Sequence, residues 1–435
     1  MNRINSKACR QTNITTAEEA IKAIKENDYV VFSGMTAIPE VIPQALMAHK
    51  EAYHNVHFFH MLAFGNGACL RPEAEGHFHH ITNFAGVNSR KALEEQRADF
   101  IPCYFKDVPS MLGSAFPVDV AVVQVSPPDH EGFCSFSAAI DYAKAAAEKA
   151  AIVIAEANDQ APCTGGPENK LHLSQIDYLV PCSYPLPEIP RPTITDTEKA
   201  IGRHCASLVE DGDTLQLGIG AIPDAVLLSL KEKKDLGIHT EMFSDGVIEL
   251  IESGVINGRK KTLHPGKLIS ALLMGTQKLY DFVDRHPDVE LYPVDYTNDP
   301  WVIAQNDHMI SINSCLEVDL MGQVTSETIG LRQFSGSGGQ VDYIRGAALS
   351  KGGKSILTMP STAAKGALSR IVPFLTQGAA VTTGRNDVDY IVTEYGIAKL
   401  KGKTLRQRAE ELIRIAHPDF RETLQAEYHR RFIRR

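Results

Sequence analysis

The sequence predicts an α/β protein made of two tandem copies of one domain, and three observations lead there. Short apolar β-type runs alternate with helix-patterned segments along the chain, which is the signature of βαβ units. The segment Ser33-Gly-Met-Thr-Ala-Ile-Pro39, placed after one such run, returns as Leu217-Gly-Ile-Gly-Ala-Ile-Pro223. A second pair, Asp129-His-Glu-Gly132 and Asp319-Leu-Met-Gly322, follows in the same order, about 190 residues apart. Two motifs repeated in one order argue for duplication of a whole domain. A cleft is then expected between the halves, with chemistry where the copies differ.

The elements follow in order. Residues 17–27 read as a helix, because Ala17, Ala20, Ile21 and Ile24 share one face at helical spacing. They feed a first strand, Tyr29 to Phe32, and a helical pattern from Glu40 to Leu46. Asn55 to Leu62 and Val118 to Val125 read as further strands. The second of these is nearly all apolar, as a strand covered on both faces of a parallel sheet must be. Ala138 to Ala150 is alanine-rich and helical, and it leads into a strand at Ala151 to Ala155. Five prolines between Pro181 and Pro192 then make a stiff, extended connector. The domain boundary is placed there, with residues 1–186 as the first domain and 187–435 as the second. Thr195-Asp-Thr-Glu198 marks a helix start. Thr214 to Leu217 repeats the first strand and Asp224 to Leu230 its helix. Ile238 to Phe243 is a strand running into a helix at Val247 to Ile256, and Leu405 to Phe432 closes the chain as a helical stretch interrupted near Pro418.

Bulk properties narrow the function classes. The 435 residues, 43% hydrophobic and 22% charged, suit a soluble protein with sizeable cores. A net charge of −9 argues against nucleic acid or an anionic membrane as partner, and the basic tail Arg430 to Arg435 reads as a solvated helix end. No apolar run approaches the ~20 residues of a membrane span. The start, Met1 to Lys7, lacks the apolar core of a signal peptide. Eight cysteines, at 9, 69, 103, 134, 163, 182, 205 and 315, show no Cys-x-x-Cys spacing. They predict reduced thiols in a cytoplasmic protein rather than a disulfide frame or a cysteine nucleophile.

Three constellations could carry chemistry. The Gly218-Ile-Gly220 turn joins a strand to a helix, where exposed amides and the helix N-terminus favour an anion. Pro223 stands where a dinucleotide fingerprint needs its third glycine, so a tight turn without ligand is an equal reading. The second copy keeps Gly220 where the aligned first copy has Thr36. Phe334-Ser-Gly336-Ser-Gly338-Gly339-Gln-Val-Asp342 is the densest glycine cluster, able to cradle a phosphate or carbonyl oxygen, with Lys351 and Lys354 nearby. A flexible surface loop is its bland alternative. Glu241, third, breaks an apolar strand near the ligand-binding edge of a parallel sheet. It reads equally as a nucleophile or base and as an ion-paired structural residue. The histidines at 54, 57, 60, 77, 79 and 80 read as structural or solvated rather than as a zinc site. His57 and His60 face opposite sides of one strand, and no carboxylate stands at ligand spacing.

Several longer motifs together resemble the family I coenzyme A transferases, in the acetyl-CoA hydrolase/transferase branch. They are Val125-Ser-Pro-Pro-Asp129-x-x-Gly132, Gln216-Leu-Gly-Ile-Gly220, His239-Thr-Glu241-Met, Val294-Asp-Tyr-Thr-Asn298-Asp-Pro300, Asn313-Ser-x-x-x-Val-Asp319, Gly336-Ser-Gly338-Gly339-Gln-Val-Asp342 and Ile391-Val-Thr-Glu-Tyr-Gly396. The resemblance spans nearly the whole chain. It implies a catalytic glutamate at Glu241 that carries CoA as a γ-glutamyl thioester, with Asn298 and Gly339 at the oxyanion. It implies CoA contacts at Gln216, Leu217, Gly218, Ile219, Gly220, Gly338, Gly339 and Lys351. The substrates implied are an acyl-CoA, such as acetyl-CoA, and a short-chain carboxylate, with 4-hydroxybutyrate foremost, then butyrate. An acyl-CoA hydrolase using the same glutamate is the alternative. No metal and no permanently bound cofactor are implied, CoA being a substrate, and a homodimer is the expected assembly. Met61 and Phe64, beside Gly65-Asn-Gly67, read equally as acyl-pocket and as core residues.

Overall fold

A computed structural model describes residues 12–65 and 67–433. Cys9, the start Met1 to Lys7, Asn66 and the terminal Arg434-Arg435 lie outside the described residues. The chain divides into two compact units. One comprises residues 1–103, 107–189 and 271–295, the other residues 104–106, 190–270 and 296–435. The main break after Ile189 falls in the proline-rich connector, three residues from the expected boundary. The assignment of 271–295 to the first unit is not visible in the sequence pattern.

Each unit is built on a parallel sheet. In the first, six strands form the centre: β1 (Tyr29–Phe32), β2 (Val56–Phe59), β3 (Phe78–Thr82), β4 (Val120–Val125), β5 (Ile152–Asn158) and β6 (Tyr178–Cys182). Their spatial order is β6-β5-β4-β1-β2-β3. In the second unit the strands are β7 (Thr214–Leu217), β8 (Gly237–His239), β9 (Leu268–Ser270), β10 (Met309–Ser314), β11 (Lys354–Thr358) and β12 (Tyr390–Thr393). Their order is β12-β11-β10-β7-β8-β9, the same path with every label raised by six. β4 is buried at every position, and its side chains pack in a core with Phe32, Phe58 and Ile154. The apolar run Val118 to Val125 is thereby explained, since both faces of the strand are covered.

The duplication extends to single hydrogen bonds. Before β1, the Lys25 amide donates to Asp28 Oδ2, and Asn27 takes a left-handed φ of 65°. Before β7, the Glu210 amide donates to Asp213 Oδ2, and Gly212 has a φ of 89°. The Asp129 carboxylate accepts from the amides of Glu131 and Phe133, and that of Asp319 accepts from Met321 and Gln323. Gly132 and Gly322 turn these loops with φ of 85° and 89°, a region that favours glycine.

The first repeated motif is corrected. Helix α1 (Val41–Ala48) and helix α2 (Ala221–Leu228) are the equivalent elements, so Ile42-Pro43, not Ile38-Pro39, stands in the place of Ile222-Pro223. Both prolines sit in the first helical turn, where a missing N–H costs nothing. Ala37-Ile38-Pro39 belongs to a longer connection in the first unit that begins with a 3₁₀ turn at Met35–Ala37. Ser33 Oγ donates to the Ala37 carbonyl there, and Gln124 Nε2 to that of Ile38. Thr36 therefore has no structural counterpart at Gly220, which is the N-cap of α2 with φ 116°.

Other boundaries move modestly. The expected first helix is α-helical only over Ala17–Ala20 and continues as a 3₁₀ turn. The expected strand Ile238 to Phe243 is interrupted at Thr240-Glu241, between β8 and a short strand at Met242–Phe243. The closing stretch is two helices, Leu405–Ile415 and Pro418–Phe432, split where Pro418 opens the second.

Candidate active site

The interruption after β8 puts Glu241 off the carboxyl end of a central strand, where parallel sheets present their ligands. Thr240 ties the backbone down: its Oγ1 lies 3.1 Å from the Leu217 carbonyl and 2.9 Å from that of Met242. Ser270, ending the neighbouring β9, donates to the Glu241 carbonyl at 3.1 Å. The Glu241 side chain is buried except for a 7% residual exposure.

Asn298 meets it there. Its Nδ2 donates to Glu241 Oε2 at 2.7 Å, and the residue is fully buried. The preceding carbonyl, of Thr297, accepts from His239 Nε2 at 2.9 Å and from the Tyr343 hydroxyl at 3.0 Å. His239 is neutral, its pKa pushed down to about 3 by burial and by the Lys261 charge, so a single ring N–H makes that bond. Burial first, then the Glu241 charge, push the Tyr343 phenol well above its ordinary value, which keeps its proton as a donor. His239 and Tyr343 thus hold the amide of Asn298 in place. Sequence reasoning quoted His239 within a motif without giving it a part in the site, and passed over Tyr343, the residue just after the Gly336–Asp342 motif.

Gly339 completes the cluster as N-cap of helix α3 (Gln340–Leu349). A Cβ added there would overlap both Glu241 Oε2 and Asn298 Nδ2, so any larger residue would push this pair apart. The positive dipole end of α3, at its N-cap Gly339, lies beside the carboxylate, which favours a negative charge. Glu241, Asn298 and Gly339 are therefore brought together from segments far apart in the chain. A carboxylate gripped by a side-chain amide beside a helix N-terminus can act as an oriented nucleophile. The same donor then stands within reach of an oxyanion formed on an attacked carbonyl.

The other expected contact residues are placed as follows. Gln216 is buried in β7, its Oε1 accepting from Ser311 Oγ and Asn313 Nδ2 and its Nε2 donating to Asn313. Leu217 is buried at the end of β7, and Gly218, Ile219 and Gly220 form the turn into α2, with open space around Gly220. Gly338, with φ 51°, precedes Gly339. Lys351 is not brought to this cluster. It lies past the far end of α3, about 15 Å of helix from Gly339, and its exposed ammonium faces Asp307 at 3.8 Å. No group of three or more metal-ligating side chains occurs among the described residues. The cysteines from Cys69 to Cys315 are free, and burial pushes the thiols of Cys69, Cys134, Cys182, Cys205 and Cys315 up to about 12, far from thiolate. No helix among the described residues is long and apolar enough to cross a membrane.

The chain is similar to known proteins over nearly its whole length. The acetyl-CoA hydrolase/transferase N-terminal domain matches residues 1–184 and the C-terminal domain of the same family matches 275–428. The chain is 57% identical over 420 residues to the 4-hydroxybutyrate coenzyme A transferase of Clostridium kluyveri, covering 96% of this chain and 98% of that one. It is 36% identical to the butyryl-CoA:acetate CoA-transferase of Anaerostipes caccae, with 95% of each chain covered. The crystal structure of 4-hydroxybutyrate CoA-transferase from Porphyromonas gingivalis superposes with a TM-score of 0.85 at 49% identity, over 97% of this chain and 98% of that one. The chain therefore belongs to the acetyl-CoA hydrolase/transferase family and is an enzyme that transfers coenzyme A.

Proposed function

We propose that the enzyme moves CoA from acetyl-CoA or another short acyl-CoA to a short-chain carboxylate, 4-hydroxybutyrate foremost, through a thioester on Glu241. The observation that carries this is the Glu241 carboxylate held by Asn298 against the backbone of Gly339. A Glu241 oxygen attacks the thioester carbonyl, and the tetrahedral oxyanion takes hydrogen bonds from the Asn298 amide and the Gly339 backbone. Collapse expels CoA thiolate and leaves an acyl-glutamyl anhydride. The thiolate then attacks the γ-carbonyl of Glu241, releases the first acid as carboxylate and leaves glutamyl-CoA. The acceptor carboxylate reverses these steps, so one thioester becomes another and Glu241 is regenerated. CoA groups remote from the thioester, held at the Gln216–Gly220 turn, Gly338 and Lys351, contribute binding energy that is realised in the transition state. CoA acts here as a substrate and no cofactor stays bound. The name of the Clostridium kluyveri relative supports 4-hydroxybutyrate as acceptor, and that of the Anaerostipes caccae relative supports butyrate as the second substrate class. A cytoplasmic homodimer working without nucleic acid or membrane partners completes the reading.

The test is trapping. Incubation with acetyl-CoA followed by borohydride is expected to inactivate the enzyme and reduce the side chain of Glu241, as read by peptide mass mapping. Initial rates with varied 4-hydroxybutyrate are expected to give parallel double-reciprocal lines. Intersecting lines with an unmodified Glu241 would sink the covalent reading. Acetyl-CoA cleavage that is fast and indifferent to acceptor acid would make the enzyme a hydrolase.

A further inference from the structure

The first unit contains a second polar feature that the reaction at Glu241 leaves unused. His60, just past β2, and His80, in β3, are only 5% and 2% exposed. Their rings stack with centroids 5.4 Å apart, and His60 stacks in turn on Phe32 at 4.5 Å. None of the four ring nitrogens has a hydrogen-bond partner among the described residues. Leaving buried donors and acceptors unmatched is costly, so such a pair calls for a ligand. Both rings also line one cavity of about 30 Å³, whose walls include Ile38, Ala63 and Leu70. At about 10–15 Å³ per water-sized occupant, it admits two or three heavy atoms' worth of ligand.

The chemistry of the walls selects the occupant. Burial drives the His80 pKa down to about 3 and that of His60 well below its usual value, so both rings are neutral. Each then offers one N–H and one bare nitrogen. An ionised carboxylate entering here would bury a charge with no cation opposite, at large cost. The Glu40 carboxyl on the same wall, raised by burial, opposes an anion further. The Cys69 thiol, pushed up to about 12, stays protonated and offers no cationic or anionic partner. A hydroxyl fits: it accepts from one ring and donates to the other, while aliphatic carbon faces the apolar walls.

We propose that the His60–His80 cavity binds a neutral hydroxyl group at the end of a short aliphatic chain. The inference rests on the first unit alone and stands whether or not Glu241 carries CoA. The test follows the ring-nitrogen NMR signals of ¹⁵N-histidine-labelled full-length enzyme, assigned with His60→Phe and His80→Phe, during titration with 1-propanol, 4-hydroxybutyrate or butyrate. Saturable shifts at both histidines with a hydroxyl compound are expected, and none with butyrate. A response to 1-propanol assigns a free alcohol, and a response to 4-hydroxybutyrate alone assigns a hydroxy acid. Each Phe variant, which keeps the ring stack, is expected to weaken binding about tenfold, the loss of one hydrogen bond. No saturable shift with either hydroxyl compound would mean that water is the only occupant and overturn the proposal. So would an equal response to butyrate, or undiminished binding in both variants. The wild-type titration decides the matter even where a variant fails to fold.

Discussion

The two units place different side chains at one position of the same fold. The His57 amide donates to the Asp28 carbonyl, and the Gly237 amide to that of Asp213, both at 2.9 Å. Further along, His60 donates to Ile81 and Thr240 to Ile269. These bonds put the strands in register, so Glu241 stands where the first unit has Met61. Met61 is fully buried, and its amide meets the Tyr142 hydroxyl, which donates to the Phe32 carbonyl. One copy fills the strand end with packing, and the other holds a carboxylate there with Asn298 and Gly339. The helix after the first strand differs in the same sense. In the first unit the buried Glu156 carboxylate accepts from the amides of Glu40 and Ile42 at the start of α1. In the second, α2 begins at Gly220 with no side-chain cap. A duplicated fold can thus devote one copy of a position to stability and leave the other for chemistry.

The largest expected effect tests that division directly. Glu241→Ala is expected to abolish CoA transfer by about four orders of magnitude or more, the scale of losing a covalent nucleophile. Its melting temperature should change little, since functional groups are often held at the expense of stability. Met61→Ala is expected to do the reverse, losing about 2–5 kcal/mol of unfolding free energy through the cavity it leaves. Denaturant melts and steady-state rates on both variants check the contrast, and a large stability loss at Glu241 would break it.

A smaller effect sharpens the second unit's side. Asn298→Ala is expected to lower kcat by about 100- to 1,000-fold with KM for acyl-CoA nearly unchanged, as for other oxyanion donors. Gly339→Ala, whose methyl would overlap both Glu241 and Asn298, is expected to be at least as severe. A rise in KM alone for Asn298→Ala would reduce that residue to substrate binding.

The last contrast is a pH dependence and belongs to the first unit. Asp141 is fully buried, accepts from the amides of Tyr142 and Ala143, and has its pKa pushed up to about 7 by desolvation. An acid that binds its proton more tightly when folded adds stability below its unfolded pKa, and that stability is lost as pH rises toward the folded pKa. Unfolding free energy is therefore expected to fall between about pH 4 and 7, by up to about 1.4 kcal/mol per pH unit from this group. Asp141→Asn, which keeps an acceptor for the same amides, is expected to remove that slope in denaturant melts across the window. An unchanged slope would show that Asp141 does not titrate there.

Much of this was legible in one dimension because its causes are local. β1 and β7 were read to the residue, since short apolar runs beside turn residues have few other ways to fold. The capping pattern Thr195 to Glu198 gave the start of Asp196–Ala206, because a cap involves only neighbours in the chain. Glu241 stood out as a charge in an apolar strand, and the motifs around Asn298 and Gly339 named their residues through resemblance. Sequence alone could not put those three atoms together, because contacts between segments dozens of residues apart depend on how the strands order in the sheet. For the same reason it set Thr36 against Gly220. A string match has no knowledge that the first unit spends extra residues before its helix, and only hydrogen-bond register reveals the true pairing of Met61 with Glu241. The clamp of His239 and Tyr343 on the Thr297 carbonyl and the unmatched nitrogens of His60 and His80 were decided by tertiary structure too. Burial, and the partners it grants or withholds, are properties of the packed chain and not of its order.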